Sequence, residues 1–173
     1  MGDIKFLIKT TMTKEDYKRF LYLATFKKNK AIFPVIGLIA LAGSLIISLD
    51  SQPFNWVKFI IGWALFFLLA IVIIVLKVEM KKAKRIKTDQ TGTFDSIYSL
   101  KFYDDRLVME NEELKSKGEL SYSQFFCLME SKDYFIFYYS ANQASLIRKK
   151  DIEDLNKFKE FILEKFAGSY KSI

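Results

Sequence analysis

Two uninterrupted apolar runs, Ala31–Leu49 and Phe59–Leu76, stand almost back to back in a chain that is elsewhere dense with charge. A helix of about 18 residues reaches roughly 28 Å, close to the ~30 Å hydrocarbon thickness of a bilayer. The first run holds eleven Ile, Leu, Val or Phe residues and the second fourteen, and neither contains a charge, although a single central charge would cost about 3 kcal/mol. Burying such a hairpin inside a soluble core would take far more protein than the rest of this chain supplies. The sequence therefore predicts an integral membrane protein with spans at 31–49 and 57–76.

The segment Asp50–Trp56 is short and holds Pro53 and Asn55, which predicts a tight turn and an antiparallel pair of helices. Phe54, Trp56 and Trp63 are expected to form an interfacial aromatic anchor on the turn side, with Lys58 snorkelling toward headgroups. Residues 1–30 carry eight Lys/Arg against three acids and 77–91 carry six against two, whereas 50–58 is neutral and 92–173 has twelve against fourteen. The basic excess lies beside the spans on the side shared by both termini, which is the positive-inside pattern and predicts both termini in the cytoplasm. The part large enough to fold is slightly acidic, which argues against nucleic-acid binding. Met1–Thr11 lacks the apolar core of a signal peptide.

The run Lys77, Lys81, Lys82, Lys84, Arg85 and Lys87 reads as a topology signal on an emerging helix, or as a contact for anionic lipid worth ~1 kcal/mol per residue. In the first span, Gly37, Ala40, Ser44 and Ser48 make a small-residue face suited to close helix packing, against the second span or against another copy.

Outside the spans, Ile4, Phe6 and Ile8 alternate with Lys5, Leu7 and Lys9, as in a strand with one buried face. A helix follows, capped by Thr13 with Asp16 three residues on and bearing Tyr17, Phe20, Leu21 and Ala24 on one side. Beyond the basic run, Thr91, Gly92 and Thr93 break the helix, and the period changes to two. Strands are predicted at Phe94–Tyr103, Arg106–Asn111, Glu119–Tyr122 with Phe125–Glu130, Tyr134–Tyr139 and Ala144–Arg148, with turns at Asp104/Asp105, Lys117/Gly118, Lys132/Asp133 and Ala141/Asn142. Such short connections require an antiparallel meander. A last helix, capped by Asp151, carries Ile152, Leu155, Phe158, Ile162 and Phe166 on one face. The fold class is thus α+β: a transmembrane hairpin joined to a small antiparallel β domain closed by a C-terminal helix and extended by the N-terminal strand. The chain divides into 1–30, 31–76, 77–91 and 92–173.

The stretch from Phe102 to Phe166 resembles the YcxB-like C-terminal domain. The likeness lies in the acidic turn at Asp104/Asp105, the segment around Ser121, the "ESKDY" turn, the aromatic strand after it, and the basic end before a helix. The flanking layout, with Thr13–Tyr17 ahead of two spans, is similar too. The chain has Leu120 where the family often has Trp, and Ile147, Arg148, Lys149, Lys150 where it often has "i-P-K-r". The resemblance implies a bacterial cytoplasmic-membrane protein with a PH-like domain and supplies no catalytic residues.

Chemistry is sparse. There is no histidine, and Cys127 in "FFCLM" stands alone, as a small buried hydrophobe. Phosphate-cradling glycine motifs are absent from the sequence. The acids Asp104, Asp105, Glu110, Glu112 and Glu113 sit among turns without calcium-loop spacing. The strand "YFIFYY" serves as core or as the wall of an apolar pocket. The spans carry no ionisable group of the kind transport needs. The expectation is a non-enzymatic protein without cofactors that holds a binding module for a protein, peptide or lipid at the membrane, in envelope sensing or self-protection. The alternative is a self-associating assembly subunit joined through the small-residue face, and behind it an enzyme using Tyr, Lys or carboxylate groups.

Overall fold

The computed structural model describes residues 3–49, 54–90 and 92–173. Of the expected turn, Asp50–Pro53 lie outside the described residues, as does Thr91 of the expected helix break. The chain forms two compact units: Met1–Asp16 together with Asp89–Ile173, and Tyr17–Thr88 between them in sequence.

Among the described residues, the first unit is built from eight strands and a helix. β1 (Phe6–Thr11), β2 (Ile97–Phe102), β3 (Arg106–Asn111) and β4 (Ser116–Ser121) form one antiparallel sheet in that order. β5 (Cys127–Glu130), β6 (Tyr134–Tyr138), β7 (Ala144–Arg148) and β8 (Tyr170–Ser172) form a second, in the order β7-β6-β5-β8. β1 pairs with β2 from Phe6 opposite Phe102 to Thr11 opposite Ile97, so the N-terminal strand does join the sheet. The loop at Asp104/Asp105 is closed by Tyr103 N–H donating to Arg106 O at 2.9 Å, and that at Lys132/Asp133 by Ser131 N–H donating to Tyr134 O at 2.9 Å.

Four expectations for this unit are corrected. The meander is two sheets rather than one, because a 3-10 turn at Tyr122–Gln124 makes a corner between β4 and β5. That corner is pinned by Ser121 N–H donating to the Gln124 side chain at 2.8 Å and by the Tyr122 hydroxyl donating to Tyr103 O at 2.7 Å. Lys117 and Gly118 lie inside β4. The turn comes earlier, where Asn111 Oδ1 accepts from Leu114 N–H at 2.8 Å and Lys115 adopts φ +46°, an Asx turn that competes with further strand pairing. The first strand after the helix break starts at Ile97 instead of Phe94. The last helix, α4 (Leu155–Lys165), is capped by Asp154, whose side chain accepts from Lys157 N–H at 3.1 Å. Asp151 closes a 3-10 turn instead, since its carboxylate is committed to Arg148 and Thr10. β8, which lies parallel to β5, had no counterpart in the sequence reading.

The core lies where the inner faces of both sheets meet α4. Ile8, Leu100, Phe102 and Leu107 come from the first sheet, Leu128, Phe135, Phe137 and Ile147 from the second, and Phe158, Ile162 and Phe166 from the helix. Phe158 is the hub: its ring meets Phe6, Phe102 and Phe135 at centroid distances of 5.3, 5.0 and 5.5 Å, all edge-on. Each fully buried Phe contributes roughly 1.5–3 kcal/mol by transfer from water.

The second unit holds two long helices, α2 (Ile32–Leu49) and α3 (Trp56–Lys87), both long and apolar enough to cross a membrane. They are preceded by α1 (Lys14–Tyr22) and a π-helical turn at Leu23–Lys27. Thr13 caps α1, its Oγ1 accepting from Asp16 N–H at 3.0 Å while Asp16 returns a bond to Thr13 N–H at 3.0 Å. α2 and α3 meet through small groups. The Ser44 hydroxyl donates to Phe59 O, and a Cβ on Gly62 would lie 2.9 Å from Ser44 Oγ. Away from this seam the helices expose large apolar side chains, Leu38 at 68 % and Ile46 at 72 % among them.

Candidate functional site

Charge concentrates on α3 and in two buried networks of the first unit. On α3, Lys77 to Lys87 continue the helix past the end of the unbroken apolar run at Leu76 for about 16 Å. Lys77, Lys81, Lys84, Arg85 and Lys87 are exposed. At 100° per residue, Lys77, Lys81 and Lys84 fall within about 60° of arc. Lys82 faces another way and pairs with Glu79 at 3.7 Å. Glu79 also accepts from the Tyr22 hydroxyl at 3.0 Å and pairs with Lys18 at 3.6 Å. The acid of this segment is thereby held on a different side of the helix from the three aligned lysines, which form a face of one sign.

In the first unit, Glu130 at the end of β5 is only 6 % exposed. Its carboxylate accepts from Lys149 Nζ at 2.5 Å, from Lys159 Nζ at 3.0 Å and from the Tyr170 hydroxyl. Burial alone would raise its pKa, but the bonds from Lys149, Tyr170 and Lys159 outweigh that and hold it at about 2. Tyr170 is pushed up to about 12 by burial and by the adjacent carboxylate. Lys149 also lies 5.1 Å over the Phe135 ring, which ties the cluster to the core.

A second buried network joins the first turn of α1 to β6 and β7. Asp16 accepts from the Tyr134 hydroxyl at 2.7 Å and pairs with Arg148 at 3.7 Å. Arg148 forks onto Asp151 with bonds of 2.7 and 3.0 Å, and the Thr10 hydroxyl donates to Asp151 at 2.6 Å. Burial would raise the Asp16 pKa, but Tyr134, Thr13 and Arg148 together hold it below the usual carboxylate range. Every polar partner here is a neighbour within the fold, and the geometry is that of a brace.

Ala40, Ser44 and Ser48 are buried on α2 and Gly37 is half-buried. Gly37 O accepts from the Trp63 indole at 3.2 Å, and a Cβ on Gly43 would touch the Phe66 ring at 3.4 Å. Trp63, expected beside the turn, lies roughly 12 Å along α3 from Asn55, exposed along its side and with its indole bonded to Gly37 O of α2. Phe54 and Trp56 do cluster at the turn end, 4.9 Å apart. The acids near the β2–β3 and β3–β4 turns do not converge. Asp104 pairs with Lys5, Asp105 with Arg106, and Glu110 with Lys101 and Lys117. Cys127 is buried.

Sequence reasoning missed the Glu130 cluster and the Arg148 fork. Their partners come from separate elements, and the only local hint was an acid ending an otherwise apolar strand, "CLME".

A two-sheet β unit closed by a helix, with an apolar helical pair placed between its first two strands, defines an α+β protein with two candidate membrane spans. Its sequence from residue 102 to 162 matches the family described as YcxB-like protein, the stretch that carried the resemblance. No curated protein and no solved structure matches the chain.

Proposed function

We propose that the protein is anchored in the cytoplasmic membrane of a bacterium by the α2–α3 hairpin and holds a PH-like binding module on the cytoplasmic side. It is non-enzymatic on this reading and works by recognition. The observation that carries it is topological: Tyr17–Thr88 is inserted between β1 and β2, which pair directly. An even number of crossings keeps those strands on one side of a bilayer, and a hairpin is the smallest such anchor. The exposed apolar flanks of α2 and α3 support insertion, since water does not tolerate so continuous an apolar surface. Two sheets packed face to face and closed by α4 support the PH-like comparison. The basic face of α3 begins where the apolar run ends and suits anionic headgroups, Lys77 and Lys81 lying nearest to them.

Self-association through Gly37, Ala40, Ser44 and Ser48 is the weaker reading, because α3 already covers that face within the same chain.

The test is cysteine labelling in oriented vesicles. Leu7→Cys and Lys171→Cys place thiols at exposed positions on β1 and β8. Both are expected to react with an impermeant maleimide in inverted vesicles and to be protected in right-side-out ones. Labelling of either from the outside overturns the topology, and loss of the protein to alkaline carbonate extraction overturns the anchor. In nanodiscs, Lys77→Gln with Lys81→Gln is expected to weaken retention of anionic lipid by about 2 kcal/mol, roughly thirtyfold, without moving retention of zwitterionic lipid. Unchanged retention rejects the lipid contact.

A further inference from the structure

The sheet edge beside α4 is occupied by the chain's own β8, and the manner of its attachment is informative. All four residues of β5 are buried and three are apolar, so an uncovered β5 would present a largely apolar edge with the Glu130 carboxylate at its end. The edge strand β4 is different: Lys117, Gly118 and Glu119 blunt it against pairing. β5 therefore needs a cover, and the cover is only three residues long. Lys171 and Ser172 are exposed, and only Tyr170 is partly buried. Beyond the three-residue ladder from Leu128 opposite Tyr170 to Glu130 opposite Ser172, the pairing is closed at its ends by Leu128 N–H to Ser169 O at 3.1 Å and Ile173 N–H to Glu130 O at 2.9 Å. Gly168, in the turn leading from α4, has open space around it.

Glu130 decides what happens when β8 leaves. Its carboxylate keeps Lys149 and Lys159 without Tyr170, so no buried charge is orphaned. The oxygen that Tyr170 uses, Oε2, keeps Lys159 Nζ at 2.9 Å, and its second lone pair is then open to an incoming donor.

We propose that the outer edge of β5 is a strand-accepting site held closed by β8. Its partner is an extended protein segment that adds parallel to β5, with a tyrosine opposite Leu128 and a small polar residue opposite Glu130. This is the register that Tyr170 and Ser172 occupy now. Main-chain bonds supply adhesion and the phenol–carboxylate bond supplies selection. The inference deepens the binding-module reading. The two fail separately, because the edge is tested in detergent whether or not the hairpin crosses a membrane.

The residue just before β5 supplies a control, since Phe126 N–H donates to Tyr138 O on the β6 side while Leu128 N–H donates toward β8. In the full-length protein, hydrogen exchange at Leu128 is expected to be at least tenfold faster than at Phe126, reporting local release of β8. Equal protection at the two amides overturns the proposal. In a Tyr170→Ala variant of the full chain, a labelled peptide of residues 167–173 is expected to bind at least tenfold more tightly than to the unaltered protein. The same peptide with Tyr replaced by Ala should lose that gain. Absence of peptide binding to the variant, or equal binding of the two peptides, also overturns it.

Discussion

Glu130→Gln isolates the charge of the buried cluster while keeping its shape and one acceptor oxygen. The carboxylate titrates at about 2 in the fold against 4.5 for a free glutamate. A shift of that size corresponds to about 3 kcal/mol of stability at neutral pH. Because the folded pKa is the lower one, the contribution is fully present above about pH 4.5 and is lost as pH falls toward 2. At pH 3 roughly 1.4 kcal/mol of it remains. Tryptophan fluorescence cannot follow this unfolding, since Trp56 and Trp63 both lie on α3. Hydrogen exchange at Ile136 and Phe137 of β6, which are almost wholly buried, reads the stability of the β unit directly. Glu130→Gln is expected to lower their protection about a hundredfold at pH 7, and urea unfolding followed by backbone circular dichroism should show the gap from the unaltered protein narrowing to less than half by pH 3. A variant within 0.5 kcal/mol of the unaltered protein at pH 7 (about a third of a pKa unit), or a gap that does not change between pH 7 and 3, would refute the reasoning that three donors outweigh burial at this carboxylate.

Phe158→Ala removes the ring at the centre of the core, which has no solvent exposure, and is expected to cost about 3–5 kcal/mol. Urea unfolding followed by exchange at β6 checks it, and a loss below 1 kcal/mol (the price of about one buried methylene) would mean that the sheets close without it. Gly62→Leu forces a side chain against Ser44 Oγ at the α2–α3 seam, with an expected cost of about 1–3 kcal/mol from overpacking. The Trp63 indole bonds to Gly37 at the same seam, so its fluorescence during unfolding in mixed detergent should move to lower denaturant, and an unchanged midpoint would reject close packing at Gly62.

The features legible in the sequence are those whose physical cause is local. A membrane span requires an unbroken apolar run, and α2 and α3 begin and end within three residues of those runs apart from the basic extension of α3. The two-residue loops at Asp104/Asp105 and Lys132/Asp133 are legible because a charged pair there interrupts two strand-forming runs that then pair across it. Lys117/Gly118 misleads for a tertiary reason: glycine is tolerated mid-strand where the Met109 side chain reaches across, 3.6 Å from where a Cβ would stand. β8 is invisible because three residues carry no periodicity and its partner strand lies on the far side of α4 in the chain. The networks at Glu130 and Asp16 are likewise assembled from distant elements. Tyr134 and Asp16 lie 118 residues apart, and no spacing rule connects them.

The long separation of β1 from β2 has a consequence for assembly. Phe6–Thr11 pairs with Ile97–Phe102 across the whole of Tyr17–Thr88, so the first sheet cannot be completed until the chain has passed through both helices and returned. If only one helix crossed a bilayer, β1 would be left on the opposite side from β2. Ile8 and Phe6 would then be missing from a core in which Phe6 meets both Phe158 and Phe161 at 5.3 Å. The β unit would be left with an unpaired apolar edge at Leu100 and Phe102, the partners of Ile8 and Phe6. Folding of that unit therefore favours two crossings independently of the basic flanks. The charge distribution and the sheet register act in the same direction through different physics, one by the cost of moving lysines across a membrane and the other by the cost of leaving a strand out of a sheet.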